Sequence, residues 1–144
     1  MPSIKLTIDE MHYISLFESL TGAVIKDCIL DDENNRVIFI VRQGDMGLAI
    51  GKGGVNIRRL QSILNKNIEV VEYAEDPETF IKHALAPARV KAVKIVKSPD
   101  GKKVAHVTVE PQDKGIAIGK NGKNILKAKL IMKRYFDIDK IAMT

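Results

Sequence analysis

Two short stretches of the chain carry residues that could do chemistry. Gly51, Lys52, Gly53 and Gly54 stand inside "AIGKGGVNI", Ala49 to Ile57, and sixty-eight residues further on Gly119, Lys120, Asn121 and Gly122 stand inside "AIGKNGKNI", Ala117 to Ile125. A glycine removes the Cβ that would hold a ligand away from the backbone, and the N–H groups opening the next helix point outward with partial positive charge. The lysine adds a mobile full charge. The chemistry implied is the holding of an anion, and the open loop suits a sugar-phosphate chain. Ile50, Ile57, Ile118 and Ile125 flank the loops; they pack the helices and are candidates for the floor of a base groove. Arg58, Arg59, Lys123 and Lys127 lie on or near the following helices, either extending the positive track or forming a solvated helix face.

Other glycine-loop chemistries fail on the letters. A P-loop, G-x-x-x-x-G-K-[ST], would need a glycine one residue before Gly47 and a hydroxyl after Lys52, where Gly53 stands. A dinucleotide fingerprint would need glycine at Asn56 and a parallel strand before the loop. For one loop alone, a plain turn between packed helices is the favoured reading. Cys28 lies in the apolar run "AVIKDCIL" and reads as a buried structural thiol; His12, His83 and His106 have no neighbours at metal-ligand spacing. No nucleophile, base or metal constellation is found, so neither an enzyme, a metal nor a cofactor is expected.

The elements that must position the loops repeat with them. "RVIFIVRQGD" ending at Asp45 lies against "VAHVTVEPQD" ending at Asp113, and "RRLQSILNKNIEV" against "LKAKLIMKRYFDI", so a module of about seventy residues is duplicated. In the first copy Asp9 to Leu20 reads as a helix with Met11, Ile14, Leu16, Phe17 and Leu20 on one face, Asp9 as its N-cap and Gly22 as its stop. "AVIKDCIL" and "RVIFIVR" read as a hairpin about "DDENN". A short helix from Asp45 to Ile50 leads to the loop; a longer one, Val55 to Leu64, turns Ile57, Leu60, Ile63 and Leu64 inward, and "NIEVVEY" closes as a strand. The second copy reads likewise: helix Pro77 to Leu85 capped by Asp76, strands "RVKAVKIV" and "KKVAHVTV" about "SPDG", short helix, loop, helix, and a final strand "FDIDKIAM". Ala105, Val107 and Val109 alternate with His106 and Thr108 as in a half-buried strand. "IKLTI" near the start is a candidate edge strand. The expected fold is α+β, two units each ordered helix, strand, strand, helix, helix, strand, with domains at 1–74 and 75–144. No Gly/Ser linker separates them, so they are expected to pack in a fixed relative orientation.

Composition agrees with a folded, water-soluble chain: 45% of residues are hydrophobic and 28% charged, which excludes disorder. No apolar run is long enough to span a membrane and the amino terminus lacks a signal-peptide pattern, so the expected location is the cytoplasm. The formal charge is +5, unevenly spread: residues 1–74 hold 8 basic and 10 acidic side chains, residues 75–144 hold 15 and 8. The carboxyl half carries the positive field and favours a polyanionic partner.

Both phrases resemble the I-G-x-x-G-x-x-I signature of the KH domain, whose G-x-x-G loop clamps a four-nucleotide single strand. The element order is that of the prokaryotic, type II form of the fold, a three-stranded sheet with helices on one face. Over essentially the whole chain the tandem pair resembles archaeal NusA-like proteins, which are similar to the two-KH segment of the bacterial transcription factor NusA. The resemblance implies single-stranded RNA binding by both loops and, by analogy, a role in transcription termination or antitermination, with RNA polymerase or other transcription factors as possible partners and a monomeric chain. A non-catalytic scaffold holding polymerase or ribosome components, and a binder of single-stranded DNA, remain open alternatives.

Overall fold

The structure, a computed structural model, describes residues 6–144. These residues divide into two compact units that part between Ala74 and Glu75. The first unit is built of α1 (Ile8–Thr21), β1 (Ile25–Asp31), β2 (Arg36–Val41), α2 (Met46–Ile50), α3 (Val55–Leu64) and β3 (Asn67–Glu72); the second of α4 (Pro77–Leu85), β4 (Val90–Lys97), β5 (Lys103–Val109), α5 (Lys114–Ile118), α6 (Lys123–Phe136) and β6 (Lys140–Met143). The class is α+β, and the expected order occurs twice.

Each unit has one three-stranded sheet, β1-β2-β3 or β4-β5-β6, whose first two strands are antiparallel and last two parallel. A parallel neighbour cannot be reached by a tight turn; the chain must cross over a sheet face. The α2–α3 and α5–α6 pairs are those crossovers, and each glycine loop interrupts one of them.

Helix α1 starts through a capping box: the Thr7 hydroxyl accepts from the Glu10 N–H at 3.2 Å, and the Thr7 N–H donates to Glu10 Oε1 at 2.8 Å. This corrects the cap expected at Asp9, which lies in the first turn, where the helix dipole favours its charge. Gly22, at φ +77°, ends the helix as expected. Of the "IKLTI" run, Ile4 and Lys5 lie outside the described residues, and Leu6 and Thr7 are irregular. Asp76 caps α4 by accepting from the Thr79 N–H at 2.8 Å.

The first core gathers Phe17, Cys28, Val37, Phe39, Val41 and Leu60, with Phe17 and Phe39 edge to face at 4.7 Å. Two side chains expected inward point out. Met11 is 48% exposed and lies about 120° around the helix from Phe17. Ile63 is 53% exposed, about 90° from the stripe made by Ile57, Leu60 and Leu64. The second core includes Phe80, Leu85, Val107, Ala128, Ile131 and Met132. Phe80 meets Tyr135 at 5.1 Å and Phe136 at 6.2 Å. That packing keeps Phe136 helical; Asp137, at φ +54°, ends α6, so the last strand begins at Lys140 instead of Phe136.

The sheets differ between copies. All six residues of β2 are buried, as a continuous apolar run requires, and the face opposite the first core (Ile29, Ile38, Ile40, Val71) is buried too. In β5 Ala105, Val107 and Val109 are buried while His106 is exposed, the alternation expected of a sheet with one solvated face.

Candidate nucleic-acid interface

The two loops are the same object built twice. Gly51, Gly53 and Gly54 have φ/ψ of 76/168°, 63/20° and 77/18°; Gly119, Asn121 and Gly122 have 78/169°, 56/27° and 73/13°. The left-handed conformation therefore reaches the third position as well as the bracketing glycines, and in the second copy an asparagine adopts it, as asparagine does more readily than most side chains. Inside each loop the N–H groups of the first glycine, the last glycine and the residue after it are bonded to Gly47, Gly51 and Lys52 carbonyls, or to those of Gly115, Gly119 and Lys120. The N–H groups of the two central residues take no part in that set.

The first glycine is demanded by packing as well as by angle. A Cβ on Gly51 would sit 2.7 Å from Asn56 Nδ2, and one on Gly119 would sit 2.8 Å from the Asn124 backbone nitrogen. These asparagines brace the turn: Asn56 Nδ2 donates to the Leu48 carbonyl at 2.9 Å, and Asn124 Nδ2 to the Ile116 carbonyl at 3.2 Å and to the Leu85 carbonyl at 3.2 Å. Sequence reasoning passed over them, although the same asparagine two residues after each loop was the signal.

Asp45 and Asp113 brace the other end. Each is buried just before a short helix and accepts from a backbone N–H ahead of the unit's first strand, Val24 and Arg89 respectively, both at 2.8 Å. Arginine completes each site, Arg42 at 3.1 Å and Arg89 at 2.8 Å. The Val24 N–H holds the Asp45 carboxyl below its ordinary range, and the Arg89 guanidinium and N–H do the same for Asp113. The short helix expected from Asp45 thus begins one residue later, at Met46, with the aspartate turned toward the strand.

Lys52, Gly53, Lys120 and Asn121 are exposed, so neither loop tip is covered. Arg58 and Arg59 are exposed as well, but Arg58 Nη1 donates back to the Gly53 carbonyl, tying the first loop to its helix. Leu126 holds the equivalent place in the second copy. Lys123 is half-buried, and Lys127, only 5% exposed, does not stand with the exposed cations. Ile50, Ile57 and Ile125 are half-buried, Ile57 against the core, while Ile118 is 44% exposed. Leu48 and Ile116, equivalent to one another, are 52% and 48% exposed less than a turn before each loop. They are exposed apolar groups beside a glycine loop, and in the sequence they pass for helix packing. Among the described residues no group of three or more His, Cys, Asp and Glu could hold a metal, and no helix is long and apolar enough to cross a membrane. Cys28 is buried, as expected.

Known proteins share this fold. A KH-domain family model matches residues 12–100, and a model of the NusA-like second KH domain matches residues 77–144. The chain is 40% identical over 142 residues to a Halobacterium salinarum protein named "Probable transcription termination protein NusA", covering 99% of both. It is 38% identical over 141 residues to a Methanocaldococcus jannaschii protein of the same name, covering 98% of this chain and 75% of that one. The solved structure described as "Crystal structure of APE1850" superposes with a TM-score of 0.88 at 41% identity, covering 96% of this chain and 100% of the other. With two type II KH folds in tandem and relatives of this similarity along nearly its whole length, the chain belongs to the KH-domain family, in its NusA-like branch.

Proposed function

We propose that the chain is a single-stranded RNA-binding factor of transcription termination or antitermination, gripping RNA with its two G-x-x-G loops. The observation that carries the reading is the pair of exposed loops with matching backbone angles, each offering a lysine and two central N–H groups outside the internal bonding. Phosphate is held by Lys52 and Lys120 and by the loop backbone, with Arg59 and Lys123 adding positive charge; bases lie against Leu48 and Ile118 and their neighbours. Discrimination among bases then comes from hydrogen bonds in an aliphatic groove, since only 5% of residues are aromatic. The role in transcription rests on the names of the archaeal relatives, and RNA polymerase or its associated factors are the partners it would imply. The chain is proposed to act as a monomer, with both units engaging one strand.

The test is a titration of labelled single-stranded RNA at several salt concentrations against the wild type and two double variants, K52D/G53D and K120D/N121D. Affinity should fall with salt, with a log–log slope of about −0.7 per phosphate neutralised. Each variant should weaken binding while its circular dichroism stays native. An RNA long enough to meet both loops should bind far more tightly than one that spans a single loop, because the second contact forms at high effective concentration. Unchanged affinity in folded double variants would remove the loops from the mechanism. Equal affinity for DNA of the same sequence would show that the 2′-hydroxyl is not read.

A further inference from the structure

The positive charge of the second half is not concentrated at its loop. Strands β4, β5 and β6 carry Lys91, Lys94, Lys97, Lys103 and Lys140 with no carboxylate, whereas β1, β2 and β3 carry Lys26 and Arg36 against Asp27, Asp31, Glu69 and Glu72. In the first sheet Arg36 is buried and paired with Asp31 and Glu69 at 2.7 and 2.6 Å. Among the described residues the side chains of Lys91, Lys94 and Lys97 make no ion pair or hydrogen bond.

Those three lysines lie on β4, which among the described residues is one of the two edges of its sheet and, along all eight residues, has no buried position. Val90 precedes them and Val93, Ile95 and Val96 stand between them, half-buried or, for Ile95, 38% exposed. Behind β4 the open sheet face presents Lys94 beside His106 and the small residues Ala92, Thr108 and Ala142. A long edge strand with unpaired backbone groups is a template for another strand, and lysines on it repel a second copy of the same edge. The same lysines attract a strand of opposite charge. A nucleic-acid strand could use the lysines but not the backbone ladder that the edge offers, and it would leave Val93, Ile95 and Val96 uncovered.

We propose that β4 is the docking edge for an extended, acidic segment of a partner protein, which joins the sheet as a fourth strand. Backbone hydrogen bonds along the edge supply affinity. Lys94, on the open sheet face with His106, selects for an Asp or Glu on that face of the added strand, and Lys97, on the opposite face, selects for a second one three residues away.

The experiment uses the whole isotope-labelled chain and an acetylated peptide with glutamate at every third position and valine between, long enough to span β4. Nuclear magnetic resonance should show shifts and slowed amide exchange confined to residues 90–97 and their cross-strand neighbours, leaving both glycine loops unmoved. The double variant K94E/K97E should weaken the peptide roughly tenfold while retaining native dispersion and RNA affinity, the size expected of a few exposed charge pairs inverted together. A peptide with lysine in place of glutamate should not bind, and methylating the amides that face β4 should abolish binding. The proposal is overturned if the acidic peptide leaves β4 unperturbed, if the lysine peptide binds as well, or if single-stranded RNA moves β4 where the peptide does not.

Discussion

Replacing the first glycine of either loop by alanine should destabilise the protein far more than replacing the exposed Gly53. Gly51 and Gly119 sit at φ/ψ 76/168° and 78/169°, a region essentially reserved for glycine, where a side chain costs about 1–3 kcal/mol. At Gly51 the new methyl would also meet Asn56 Nδ2 and Cγ at 2.7 and 2.8 Å, forcing that side chain off the Leu48 carbonyl. The lost bond adds about 1 kcal/mol, for a total of roughly 2–4 kcal/mol. At Gly119 the obstacle is the Asn124 backbone nitrogen and Cβ, both at 2.8 Å, which no rotamer can move aside, so G119A should be at least as costly. Gly53 lies at 63/20° with nothing within 4 Å of the added carbon, so G53A should cost only about 1 kcal/mol for the left-handed backbone. Urea unfolding followed by circular dichroism measures all three. If G51A and G119A proved no more destabilising than G53A, the packing account of the first glycine would be wrong.

Three further outcomes are expected. Phe80→Ala should cost about 3–5 kcal/mol, because its ring is fully buried against Tyr135 and Phe136, and calorimetry should show the loss. Because bonded partners lower the carboxyl pKa of Asp45 and Asp113, both stabilise fully above the unfolded value near 3.8 and lose that contribution as pH falls through their lowered folded values. Melting temperature should therefore drop below about pH 4, and D113N should flatten that drop while lowering the melting temperature at pH 7. Arg58→Leu, which gives the first loop the residue of the second, should leave stability nearly unchanged and speed amide exchange at Gly54 and Val55, whose N–H groups bond within the loop, a difference that hydrogen exchange would detect.

The duplicated phrase, its element order and its class were legible because each rests on local rules. Apolar periodicity, caps such as Asp76 before Pro77, and turn residues act over a few positions and leave their mark in the letters. Errors fell where a face or a boundary depends on what lies opposite. Met11 and Ile63 satisfy a hydrophobic pattern yet lie off the stripe that meets the sheet, and Phe136 looks like a strand residue until it packs on Phe80. Lys127 carries the right charge for a binding track but is buried.

What the letters alone determined is that two backbone-exposing loops occur at matching places in two copies of one unit, since glycine content and repetition need no three-dimensional context. Tertiary structure decided which groups those loops rest on and where the charge lies. Asn56, Asn124, Asp45 and Asp113 act across 8 to 39 residues of sequence, so their roles exist only once helix and strand are brought together. The lysine excess, evident as a sum in the sequence, became a charged strand edge only through the sheet order that leaves β4 without an outer neighbour among the described residues.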